Sequence, residues 1–465
     1  MRSRTALERA GAATLLGAAW LIAGCASTGG APDLGALGGG SAPSAPEGPL
    51  SSQSAGTVLT ADELFNVYQA AMTNYVDRVD PAKLIRGAVA GIRTGANSAG
   101  LLPVESALVD LASLELSDDP QRDWMQFQGP YDALLRKLGP RIDISVVSQE
   151  AARGMLASVG DPLTEYIDRQ RLDMMQSPDY SGVGLVLATP LGGGRPFVRA
   201  IVAGSGGEAA GVKVGDTIRA VDGKVLAGAD VYQALEKISG PLGSRVALTL
   251  AGASNGVEHV AQVPRTRARA AAITTSTRNG SLYIQMSAFD PGAADAVRRV
   301  LVEATASGAR GCILDLRGNG EGGIREAVNV ASLYLGEQTI AQQEDRTGRR
   351  SVLQGTGLPL TPRLPTVVII DRATAGPAEL VAAAWRDYGV ATIVGTPTAG
   401  RLGTTTLVPL ADGSAAEITA GRFLSPSGAR LLGDGVQPDV VVDLDPKELA
   451  AGTDLQFDRA LALLG

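Results

Sequence analysis

From about residue 270 onward the chain alternates short apolar runs with helical ones, and this alternation limits the fold more than any other feature. The runs "SLYIQMSAF", "GCILDL", "PTVVIIDRAT" and "ATIVGTPTAG" read as strands, three of them followed by turns. "GAADAVRRVLVEATA", "IREAVNVASLYLG" and "PAELVAAAWRDYG" between them read as helices. Apolar strands separated by helices of roughly 10–15 residues build an α/β layer structure with a largely buried sheet.

The preceding residues follow other periods. "TADELFNVYQAAMTNY" opens on a capping box, Thr60 with Glu63, and then sets Leu64, Val67, Tyr68, Ala71 and Tyr75 at helical spacing. A second helix is expected from Lys83 and another near residues 147–175, with loops around Ser98–Pro103 and Ser117–Pro120. From Tyr180 short β-like runs alternate with glycine turns, interrupted by one helix from about Asp230 to Ile238. A chain of 465 residues has room for two or three such units, at roughly 100–200 residues each.

Scarcity removes several functions. One histidine and two cysteines leave no Cys/His cluster for zinc and no CxxC pair. The only histidine, His259, lies in polar "SNGVEHV" and is expected on an exposed strand rather than in a Ser-His-Asp triad. A net charge of -7 argues against nucleic acid as a partner. Nothing points to a metal or an organic cofactor.

The N-terminus carries Arg2, Arg4 and Arg9 and then "AATLLGAAWLIAGC", too short for a comfortable membrane span. It reads as an export signal over 1–25. "LIAGC" resembles a bacterial lipobox, which makes Cys25 the lipidated residue; cleavage of an ordinary signal near Ala23 or Ala26 is the alternative. Residues 26–57, rich in Gly, Ser, Pro and Ala, are expected to form a tether. Similarity to other lipoproteins implies an outer-membrane anchor in the periplasm, since neither Ala26 nor Ser27 resembles an inner-membrane retention signal. Cys312, in "GCILDL", is then expected as a small buried hydrophobe.

"GSGGEAAGVKVGDTIRAVDG" resembles the PDZ signature. The resemblance implies a PDZ domain over 179–266, with Gly182, Val183, Gly184 and Leu185 as its carboxylate-binding loop. Glycines there let backbone N–H groups turn toward a peptide C-terminus, while Val183 and Leu185 line a pocket for the last side chain. A groove that only packs against its own chain is the alternative.

The order of these parts, with "LDLRGNGEGG", "AELVAAAWRDYGVATIVGTPTAGR" and "SPSGARLLGDGVQPDVVV", resembles the carboxy-terminal processing (tail-specific) serine peptidases over roughly residues 60–445. That family implies a crotonase-like α/β core over 267–447 with an inserted PDZ domain, after a helical region over 58–178 and before a C-terminal helix over 448–465. It also implies a Ser/Lys dyad assisted by Gln. Anchored on Glu379, the family's nucleophile falls on Gly376, its base on Arg401 and its glutamine on Thr405.

None of these can do the family chemistry. Glycine has no hydroxyl, and a guanidinium stays protonated and has no acceptor. The oxyanion turn is kept at Gly322 and Gly323, its glycines one residue further on than in the common pattern. The second oxyanion donor falls on Pro377, which has no N–H. No serine occurs between Gly355 and Ser414, so Thr374 is the fallback nucleophile; Ser425 and Ser427 of "SPSG" are expected in an exposed turn.

Two main functions follow, with a purely structural lipoprotein as a third. One is a pseudopeptidase that binds protein C-termini, and with them an active peptidase or another envelope protein. The other is an active serine-type endopeptidase with divergent residues.

Overall fold

The computed structural model describes residues 58–100, 111, 113–117, 119–226 and 228–465. The expectations for the signal, Cys25 and the tether fall outside the described residues.

Four helices come first: α1 (Ala61–Asn74), α2 (Pro81–Ser98), α3 (Pro120–Leu138) and α4 (Ile144–Ala157). The capping box of α1 is formed, with Thr60 N–H donating to Glu63 at 2.7 Å and Glu63 N–H to the Thr60 hydroxyl. α2 and α4 approach closely because Gly87, Gly91 and Gly154 place no side chain between them. A Cβ on Gly91 would lie 1.9 Å from the Glu150 carbonyl oxygen.

The helix expected near 147–175 is broken. α4 ends at Ala157, Gly160 takes φ 89° and Pro162 follows, so the helix cannot continue. Glu165–Ile167 then forms β1, and Arg169–Gln176 forms α5. β1 pairs antiparallel with a strand of the C-terminal unit, Tyr166 opposite Ala416. The helical region is therefore joined to the core by a sheet.

The PDZ-like unit comprises β2 (Tyr180–Ser181), β3 (Leu185–Ala188), β4 (Phe197–Ile201), α6 (Gly206–Ala209), β5 (Thr217–Val221), β6 (Lys224–Val225), α7 (Val231–Ile238), β7 (Gly240–Pro241), β8 (Arg245–Ala251) and β9 (Glu258–Pro264). Asp230 caps α7, and His259 is exposed on β9. The sheet order β3-β4-β5-β8-β9 leaves β3 at an edge.

The core begins with β10 (Ile273–Arg278), β11 (Ser281–Met286), β12 (Ala288–Phe289), α8 (Ala293–Ala306), β13 (Cys312–Asp315), β14 (Glu321–Gly322) and α9 (Ile324–Leu335). It continues through β15 (Thr339–Asp345), β16 (Arg350–Gln354), β17 (Thr366–Ile370), α10 (Pro377–Asp387), β18 (Thr392–Gly395), β19 (Gly403–Pro409), β20 (Ala415–Leu424) and β21 (Val440–Val441). One sheet, β10-β11-β13-β17-β18-β21, is parallel apart from the β10–β11 pair. Every residue of β17 is buried, as is Cys312 on β13, so the apolar runs sit inside the layers as expected. The expected C-terminal helix is two, α11 (Pro446–Ala450) and α12 (Leu455–Ala462), interrupted where Gly452 takes φ 90°.

Candidate functional site

β13 and β17 run parallel with Asp315 opposite Ile369, so the turns that follow them emerge side by side. Gly318 N–H donates to Asp371 at 3.0 Å, and Ala375 N–H donates to the Asn319 carbonyl at 2.8 Å. The second turn ends at Gly376, with φ 53° and ψ -119°, a backbone conformation that L side chains rarely adopt. Pro377 takes the first helical position of α10, where its missing N–H costs the helix nothing.

Glu379, fully buried in the first turn of α10, holds the site together. One of its oxygens accepts the Gly376 N–H at 2.9 Å and the Arg401 N–H at 2.8 Å. The other accepts the Gly400 N–H at 2.6 Å and the Thr398 hydroxyl. Burial pushes the carboxyl up to about 7, although all four donors favour its charged form.

The candidate residues gather here. Arg401 is fixed through its backbone, and its guanidinium carbon lies 4.6 Å from the centre of the Tyr232 ring on α7. Tyr232 in turn donates to the Ala373 carbonyl at 2.9 Å. Thr405, on β19, donates to Glu417 at 2.7 Å. Thr374 is fully buried: its hydroxyl donates to the Leu316 carbonyl at 2.9 Å and accepts the Asp371 N–H at 3.0 Å. Gly322 pairs with Phe289 across β14 and β12, and the Gly323 N–H donates to the Phe289 carbonyl at 3.0 Å. With proline at 377 one backbone donor of the implied oxyanion hole is absent, and at the glycine turn the Gly323 N–H is taken by Phe289. Ser425 departs from its expected exposed turn: it is buried, because its hydroxyl donates to Asp387 at 2.6 Å and draws the turn onto α10.

The PDZ loop is shaped by its own carbonyls. Those of Gly182, Val183 and Gly184 accept from Thr266, Gly207 and Val202 at 3.0, 2.8 and 2.8 Å. Gly184 takes φ 73°, and a Cβ there would lie 2.2 Å from that of Ser205. Among the described residues, the N–H groups of Val183 and Gly184 have no partner. These are the donors a peptide carboxylate needs.

Glu379 anchors the family motif in the sequence, but its hold on four donors is not legible there. Two further participants carry little signal. Tyr232 is one aromatic on a short amphipathic helix. Arg199, on β4, donates to the Arg317 carbonyl at 3.0 Å and lies 3.9 Å from Asp371, so the PDZ unit touches both turns. Burial raises the Asp371 carboxyl, with Arg199 opposing it.

Residues 280–442 match peptidase family S41, and residues 197–252 match a PDZ domain. A carboxyl-terminal-processing protease of Synechocystis sp. is 30% identical over 325 residues, spanning 68% of this chain and 76% of the relative. The chloroplastic C-terminal processing peptidase of Tetradesmus obliquus is 29% identical over 367 residues, spanning 75% and 77%. Among solved structures, a photosystem II D1 C-terminal processing protease aligns with a TM-score of 0.55 at 24% identity, over 83% of this chain and 93% of that one. The order of elements, the paired turns and these likenesses agree: the chain belongs to the carboxyl-terminal processing peptidase family, with a PDZ domain.

Proposed function

We propose that this chain is a pseudopeptidase: a periplasmic, lipid-anchored PDZ protein that holds protein C-termini without cutting them, as an adaptor or scaffold. The observation that carries the reading is the residue set at the family's catalytic positions. Gly376 supplies no nucleophile, and Arg401 cannot become neutral to take a proton. Pro377 offers no oxyanion donor, and the Gly323 N–H is already bonded to Phe289. The family cleft therefore keeps its shape and lacks its reactive groups.

The second reading, an active serine-type endopeptidase with divergent residues, is favoured by the likeness to peptidases over most of the chain. It would need Thr374 as nucleophile. That hydroxyl is buried and already bonded on both sides, and a nucleophile needs an adjacent base.

The two readings separate in one assay. The purified protein is incubated with a disordered protein carrying a free apolar C-terminus, beside an active family member, and the products are weighed by mass spectrometry. An intact substrate is expected; cleavage products overturn the proposal. For the PDZ loop, amidating the peptide C-terminus is expected to weaken binding at least tenfold, because charge-assisted hydrogen bonds are lost. Equal affinity for the amide would remove Gly182–Leu185 as the receptor. For the anchor, Cys25→Ala should move the protein from the membrane to the soluble fraction.

A further inference from the structure

We infer that the retired cleft is itself a receptor for a peptide carboxylate, with Arg401 as the group that holds it. The inference rests on the reading that the cleft no longer cuts.

The buried and half-buried arginines nearby are spoken for. Arg317 pairs with Asp315 and Asp454, Arg171 with Glu165 and Glu236, and Arg422 with Asp77 and Glu344. Arg401 differs. Among the described residues its guanidinium makes no hydrogen bond and has no carboxylate within 4.0 Å, although the residue is only partly exposed. None of its nitrogens is closed off from solvent. Its N–H donors therefore reach solvent.

The group is also held in place. Its backbone N–H is bonded to Glu379, its guanidinium carbon sits 4.6 Å over the centre of the Tyr232 ring, and Tyr232 is bonded to the Ala373 carbonyl. A flat cation stacked on a ring keeps its edge outward, and that edge is a fork of parallel N–H donors matched to a carboxylate. A lysine at this position would be a mobile point charge.

The two carboxylates nearest Arg401 in this frame already accept other donors, Glu417 being the one that feels the guanidinium charge. Glu379 accepts from four donors, and Glu417 accepts from Thr405 at 2.7 Å. The position next to this frame is unobstructed as well. Gly376 and Arg401 donate to the same Glu379 oxygen, and a Cβ added at Gly376 would meet nothing within 4 Å. The ligand chemistry is a carboxylate on an extended peptide, either a C-terminus or an Asp or Glu side chain.

The experiment measures fluorescence anisotropy of the purified protein with four labelled twelve-residue peptides of Gly, Ser and Leu. One has a free C-terminus and one is amidated. The other two are amidated with a central Glu or a central Gln. Tighter binding of a carboxylated peptide than of its neutral twin is expected, and the twin that responds identifies the source of the carboxylate. Arg401→Gln should erase the preference for the Glu peptide over its Gln twin, weakening the Glu peptide about tenfold or more, and should reduce the preference for the free C-terminus to the share that the PDZ loop supplies.

Arg401→Lys, which keeps the charge and loses the fork, should fall between the two. The side chain makes no hydrogen bond, so its loss leaves no buried partner unsatisfied, and unchanged circular dichroism and urea midpoints are expected. If Arg401→Gln binds every peptide as the wild type does, the carboxylate is taken elsewhere, at the PDZ loop. That result ends this inference and leaves the proposed function standing. Equal binding of charged and neutral peptides by the wild type also overturns it, whereas cleavage of the protein substrate would instead sink the reading on which it rests.

Discussion

Returning a serine to Gly376 should not return a peptidase. The substitution Gly376→Ser meets no steric obstacle, since an added Cβ finds nothing within 4 Å. Its cost lies in the backbone: φ 53° with ψ -119° is strained for any L side chain, by about 1–3 kcal/mol. A fall of that size in unfolding free energy, read from urea midpoints, is the first expected result. The second concerns rate. A missing general base forfeits about 10²–10⁴ and a missing oxyanion donor about 10²–10³.

Such groups act as a unit, so the losses do not simply multiply, and about 10⁴ is a reasonable lower figure. From a typical kcat of about 10 s⁻¹ this leaves about 10⁻³ s⁻¹ or less. Single-turnover incubation sampled over a day by mass spectrometry reaches that range. Turnover near about 1 s⁻¹ would refute the assignment of Gly376, Pro377 and Arg401, and an unchanged urea midpoint would refute the strain argument.

Other perturbations test the frame around the site. Glu379→Gln turns an NH₂ toward two of the four donors whichever way the amide faces; at about 1–3 kcal/mol per buried group, unfolding free energy should drop by about 2–6 kcal/mol. Burial pushes the Asp315 carboxyl up, but Arg317 and Arg199 more than reverse this and hold it at about 2, below the ordinary 3.8. That difference contributes on the order of 2 kcal/mol of stability, present above pH ~4 and lost as the pH falls toward 2. Asp315→Asn should therefore flatten this part of the acid unfolding curve. Gly91→Ala would put a methyl 1.9 Å from the Glu150 carbonyl oxygen and cost about 3 kcal/mol or more by forcing α2 from α4.

The α/β core was legible because its strands are buried on both faces and so appear as unbroken apolar runs, as in "TVVII". The capping box at Thr60 was legible for a local reason: its bonds span three residues. The break after Ala157 was less so. Its cause includes a partner far away in sequence, β20, whose edge gives Glu165–Ile167 a reason to be a strand. The same distance hid the site's frame. Gly376 and Arg401 could be placed by motif, but their shared attachment to Glu379 exists only after folding, and Tyr232 reaches Arg401 from another domain.

That last contact bears on any measured peptide affinity. Ala373 sits in one apolar cluster with Val183, Leu185 and Leu187 near the PDZ loop and with Val231 and Ala234 on α7, and Tyr232 is bonded to its carbonyl. A peptide bound between β3 and α7, as proposed, would have to compete with this docked arrangement. Its apparent dissociation constant is the intrinsic one divided by the fraction of molecules already undocked. Each 1.4 kcal/mol or so of docking free energy raises that constant tenfold. Specificity at β3 and affinity at β3 are thus set in different places: the first by the pocket, the second in part by a tyrosine hydroxyl on a carbonyl of the turn before α10.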